Sequence, residues 1–124
     1  MKYANVLQHS QEDCGAACLA RVAKHHGRTF AISRAREAVG TGARGTSLLG
    51  LSRGAETLGF NARQVKASPQ LVDQLNQAPL PAIIHWKGYH WVVLYGQKRK
   101  KYIIADPGSG IRYLNRRELM AGWA

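Results

Sequence analysis

Acidic residues are scarce in this chain. Seven Asp and Glu stand against 18 Lys and Arg over 124 residues, a formal net charge of +11 at pH 7. Such an imbalance calls for an anionic partner or surface: an acidic peptide, acidic lipid headgroups or nucleic acid. Nucleic acid is the least expected of these, because no helix-turn-helix cue, RNP-like aromatic pattern or zinc finger accompanies the charge. Cysteine is limited to Cys14 and Cys18. Four positions apart on a helix, their side chains point badly for a disulfide, so free thiols and a reducing, cytoplasmic setting are expected. No second Cys or His pair follows at finger spacing, and no metal is expected. No run of eighteen apolar residues exists to span a membrane. The stretch from Met1 to Leu7 lacks the apolar core of a signal peptide. The glycine-rich loop Gly40–Gly45 lacks the Gly-Lys-Ser/Thr ending of a phosphate loop and reads as a turn, so no nucleotide cofactor is expected.

What the chain does have is a hydrophobic fraction of 45%, enough for the core of one compact domain over residues 1–124. Its period changes halfway. Asp13 is the expected N-cap of a first helix running to about His26, with Ala16, Leu19, Val22 and Ala23 on one side and Arg21, Lys24 and His25 on the other. Gly27 ends it. Ser33 is expected to cap a second helix through Val39, closed by Gly40. Thr46 or Ser47 opens a third through about Leu58, with Leu48, Leu49, Leu51, Ala55 and Leu58 as its apolar stripe.

Beyond Gly59 the pattern turns to strands. Phe60–Lys66, Ala82–Trp86, His90–Tyr95, Tyr102–Asp106 and Ile111–Leu114 are the predicted ones. Ser68-Pro69 starts a short helical turn between the first two. Gln97–Lys101 is a basic hairpin tip, more often a solvated turn than a binding site. Asn115 caps a last helix. Helices first and antiparallel strands second make an α+β fold, an N-terminal helical half packed on a C-terminal antiparallel β-sheet.

The candidate chemistry starts at Asp13-Cys14-Gly15. A thiol at a helix start meets unpaired amides and the positive end of the helix dipole, an environment that favours the thiolate nucleophile. Gly15 beside it leaves room for a substrate backbone. The alternative is a small buried apolar cysteine. A nucleophile needs a base, and the base an orienter. His90 begins one strand and Asp106 ends the next, so an antiparallel hairpin makes them neighbours. Asp106 can then fix the tautomer of the His90 ring. A plain turn starter and an edge histidine are the competing readings.

Taken together, the residues resemble the peptidase C39 family, the papain-like cysteine protease domains at the N-termini of bacteriocin- and peptide-exporting ABC transporters. The matching stretches are Gln8 with Asp13-Cys14-Gly15, Gly45-Thr46-Ser47 before a helix with Leu58-Gly59-Phe60, His90-Trp91-Val92-Val93-Leu94 and Ala105-Asp106-Pro107. The resemblance implies a papain-like fold, with Cys14 as nucleophile, His90 as base and then acid, and Asp106 as orienter. It implies Gln8 as the oxyanion donor, with Gln11 a nearer rival for that position. It further implies removal of a leader after a Gly-Gly or Gly-Ala ending. The leader would be an amphipathic helix, and the basic charge of the domain predicts an acidic one. Trp86, Tyr89 and Trp91 are candidate walls of a narrow cleft, with Gly15 at its floor, or else core aromatics. Family members continue into transmembrane and ATPase domains, the expected partners of an excised domain, which would place it at the cytoplasmic face of the bacterial inner membrane. The rival is a catalytically silent module that only holds the leader.

Overall fold

The computed structural model describes residues 13–42, 45–62, 64, 68–73, 80–87 and 90–123. Helix α1 (Cys14–His25) is followed by α2 (Ile32–Val39), α3 (Leu48–Thr57) and the short α4 (Pro69–Asp73). Strands β1 (Ala82–Trp86), β2 (His90–Lys98), β3 (Lys101–Asp106) and β4 (Gly110–Leu114) then form an antiparallel sheet in sequence order, and α5 (Arg116–Gly122) comes last. The layout is the expected α+β one. Among the described residues no helix is long and apolar enough to cross a membrane.

Strand alternation divides the core between the two faces of the sheet. Trp91, Val93 and Tyr95 of β2, with Ile103 and Ala105 of β3, pack on α1 and through it on α2 and α3. Val92, Leu94, Tyr102, Ile104 and Leu114 pack on the other side with Leu119 of α5 and Val72 of α4. The helical layer is tight because α3 presents glycines. At Gly54 a Cβ would come 2.5 Å from Val39 Cγ1, and at Gly50 it would collide with the Val39 carbonyl oxygen. Ser47 caps α3, accepting from the Gly50 amide at 2.9 Å.

Several local expectations are corrected. Asp13 makes no side-chain capping bond; its carboxylate is buried and ion-paired with Arg36 of α2, Oδ1 to Nε 3.1 Å. Ser33 does not cap α2, whose N-cap is Ala31, two residues earlier. The described residues of 60–66 form no strand. The apolar stripe of α3 is only half used: Leu51 and Leu58 are buried, whereas Leu48 and Leu49 are exposed. Arg21 is the largest departure. It is completely buried, because every residue from Cys14 to Arg21 is enclosed between the sheet and the other helices. A helix packed on more than one side has no solvent face for that segment. Burial holds the Arg21 guanidinium below its usual range, partly offset by Cys18, Tyr95 and Asp106 nearby.

The last helix matches its sequence signal. Asn115 and Glu118 form a capping box, Glu118 N to Asn115 Oδ1 2.8 Å and Asn115 N to Glu118 Oε1 3.0 Å. The C-terminal end of α5 presses Gly122 onto the Trp86 indole, where a Cβ would have no space.

Candidate active site

Cys14 is the first residue of α1, so its sulfur stands among the unpaired amides of the helix start. His90 opens β2 and Asp106 closes β3. The register pairs Val93 with Ala105, which puts Asp106 on the same face as His90 and one diagonal step away. The side chains meet there: Asp106 Oδ1 lies 2.7 Å from His90 Nε2. The same carboxylate oxygen accepts the Gly108 amide at 2.8 Å. The Asp106 carboxylate thus starts a turn and bonds the His90 ring at once. The Cys14 side chain also acts on the His90 ring and raises its pKa alongside Asp106. With Nε2 on Asp106, Nδ1 is the ring nitrogen left for the sulfur.

These bonds set the protonation states. The Asp106 bond, then Cys14, raise the His90 pKa to about 9, against an opposing effect of burial. Burial pushes Asp106 up, but the bonds from His90, the Gly108 amide and Ser109 outweigh it and hold the carboxyl below its ordinary range. At neutral pH the pair is thus an imidazolium on a carboxylate. Cys18, one turn behind Cys14, is fully buried, and burial drives its pKa well above the ordinary thiol value, so it stays a neutral core residue.

The remaining expected residues part ways. Gln8 and Tyr89 lie outside the described residues, as does Gln11. Trp86 and Trp91 are buried, and packing accounts for both. Trp86 lies opposite His90 in the register but belongs to the core under α5. Trp91 stacks on His85 at 4.5 Å and donates its indole N–H to the Thr46 carbonyl at 2.9 Å. The space beside Gly15 is also taken: a Cβ there would stand 2.8 Å from Thr46 Cβ. Gly15 makes room for Thr46.

Thr46 is the positional residue that the sequence hid. It reads as a helix opener, yet it is buried between the sheet and the helix that carries Cys14. The Gly42 and Gly45 backbones bond each other in both directions and close the preceding turn. The Thr46 hydroxyl is 2.7 Å from that of Thr41. A continuous strut results, from Trp91 on the sheet through Thr46 to Gly15, and it fixes how far the Cys14 end of α1 stands from the strand carrying His90.

A thiol at a helix start, an imidazole opening a strand and a carboxylate bonded to it thus lie at one end of the sheet. The chain belongs to the peptidase C39 family, whose model matches residues 2–124. It is 37% identical over 114 residues to the colicin V secretion/processing ATP-binding protein CvaB of Escherichia coli, covering 92% of this chain and 16% of that protein. It is 39% identical over 109 residues to the lactococcin-G-processing and transport ATP-binding protein LagD of Lactococcus lactis subsp. lactis, 85% of this chain and 15% of that protein. The chain thus spans about a sixth of the curated relatives it matches. Its fold is similar to the peptidase domain of Streptococcus ComA, a bi-functional ABC transporter, with a TM-score of 0.91 at 34% identity over 99% of this chain and 93% of that one. It is equally similar to a double glycine motif protease from an AMS/PCAT transporter in complex with the leader peptide, with a TM-score of 0.92 at 28% identity over 99% and 86%. The papain-like fold expected from the sequence is the one found.

Proposed function

We propose that this chain is a cysteine endopeptidase that removes a leader ending in Gly-Gly or Gly-Ala from a precursor peptide, with Cys14, His90 and Asp106 as its triad. The single observation that supports the reading is the His90–Asp106 bond at the Cys14 end of α1, with Cys14 acting on the same imidazole. Relatives concerned with processing exported peptides, and a leader-bound double glycine motif protease of the same fold, support the substrate class.

The chemistry follows from the bonds. The His90 ring stands beside the sulfur as its proton-transfer partner. Cys14 Sγ attacks the carbonyl carbon of the last leader residue, and the oxyanion that forms lies near the Cys14 amide at the helix start. Gln8 is the second donor on the strength of the family resemblance. Collapse breaks the C–N bond, and His90 gives its proton to the departing amine. Water then adds to the thioester with His90 as base, releasing the leader carboxylate and restoring the thiol. Asp106 keeps Nε2 engaged throughout, so proton transfer occurs at Nδ1.

The leader is acidic on this reading, and the chain acts as a single domain on the cytoplasmic side of an exporter's membrane. Leader affinity should fall as salt rises; an affinity indifferent to salt removes the acidic character. The function itself is tested with peptides carrying Gly-Gly before a cargo segment, beside Cys14→Ala. Cleavage by the parent chain alone is the expected result. Leader binding by both proteins with cleavage by neither would leave a holding module.

A further inference from the structure

The +11 charge is not spread evenly over the molecule. Lys98, Arg99, Lys100 and Lys101 occupy the β2–β3 hairpin tip, and all four are exposed. The tip is ordered by its own backbone. Gln97 Nε2 donates to the Arg99 carbonyl at 3.1 Å, and Arg99 holds a left-handed φ of 58°. Topology adds a fifth cation. Leu114 pairs with Tyr102, next to Lys101, so α5 starts at this same end of the sheet and brings the exposed Arg117 to it. The acidic side chains at this end are committed elsewhere: Asp73 to Arg116 at 3.0 Å, Glu118 to the Asn115 amide. Among the described residues none of the five cations has an ion-pair partner. Tyr113, one of the more exposed large side chains at 56%, stands one position before Leu114.

This end is remote from the chemistry. His90 and Lys98 begin and end β2, eight positions apart, about 26 Å at strand rise. A peptide bond held at Cys14 does not reach it. The tip is a convex turn rather than a groove, which suits a flat anionic surface better than a single extended chain. Clusters of four to eight Lys and Arg with an amphipathic aromatic beside them are what acidic headgroups attract. We propose that the β2–β3 tip, with Arg117 and Tyr113, is a docking surface for an anionic lipid bilayer, and that it holds the site-bearing end of the sheet away from the membrane.

The test is co-sedimentation of the chain with phosphatidylglycerol-containing vesicles and with pure phosphatidylcholine vesicles. Each cation near such a surface is worth roughly fivefold in partitioning. Replacing Lys98, Arg99 and Lys100 by Gln should lower binding to the acidic vesicles about a hundredfold, and Arg117→Gln alone about fivefold. A charge-matched control, Lys24, Arg34 and Arg53 to Gln, should lower it far less. Near-ultraviolet circular dichroism checks that every variant is folded. Equal losses in the tip variant and the control would overturn the proposal, as would equal binding to both vesicle types. So would a tip variant that keeps its vesicle binding but loses affinity for the acidic leader peptide or for a single-stranded oligonucleotide. The vesicle arms need no cleavage, so their outcome stands apart from the peptidase reading.

Discussion

At the scale of single residues, the His90–Asp106 bond sets the pH behaviour. His90 must be protonated to stand as imidazolium against the sulfur, and its pKa is about 9, chiefly through Asp106. The alkaline limb of the cleavage rate should therefore fall near pH 9. In Asp106→Asn that limb moves toward the ordinary histidine value of about 6.5, and turnover drops by about 10²–10⁴. An unmoved limb would mean that another group controls it. Stability follows with the opposite sign at the two ends. The raised His90 pKa contributes stability that is complete below about 6.5 and lost as pH rises through about 9. The lowered Asp106 pKa contributes stability that is complete above about 4 and lost as pH falls through its folded value. The melting temperature should be highest between those limits, and Asp106→Asn should flatten both flanks.

Between elements, spacing is set by glycines that meet something particular. Gly15→Ala drives a methyl into Thr46. Either α1 or the turn before α3 must then move, at about 1–3 kcal/mol. Because a shift of about 1 Å at a reacting group can cost about 10²-fold in rate, turnover should fall more than folding does. Adding Thr46→Gly removes the colliding atoms and should restore part of the loss, measurable as a double-mutant cycle. At the other face, Gly122→Ala meets the Trp86 ring and should destabilise α5 against the sheet by a similar amount. Asn115→Ala removes one half of the capping box for about 1 kcal/mol. Thermal melts distinguish these two, since the cap acts on α5 alone while the Trp86 contact also holds the end of β1.

For the whole molecule, enclosure of α1 is the organising fact, and Arg21 is its test. A buried guanidinium pays desolvation that its neighbours only partly return. Arg21→Met keeps the volume but strips the surrounding polar groups of the guanidinium, so the chain should lose about 1–3 kcal/mol in a denaturant melt; unchanged or higher stability would show that desolvation outweighs what the cation satisfies. The same enclosure explains what could be read in advance. β1 and the capping of α5 carry strong local signals in alternation, turn residues and the Asn-x-x-Glu spacing, and they fall where expected. Ser33 and the described residues of 60–66 carried weaker signals, and neither the cap nor a strand forms there. The neighbours His90 and Asp106 were legible too, because a hairpin ties them by local geometry. The amino-acid order thus determined the helical and stranded halves, the thiol at a helix start and the imidazole–carboxylate pair, since each depends on residues close along the chain. Only the tertiary structure decided that Asp13 pairs with Arg36, that Thr46 fills the space beside Gly15, that Trp86 and Trp91 are core and that Arg21 is buried. Those depend on which surfaces of distant elements meet, and contacts between distant elements leave no period in the sequence.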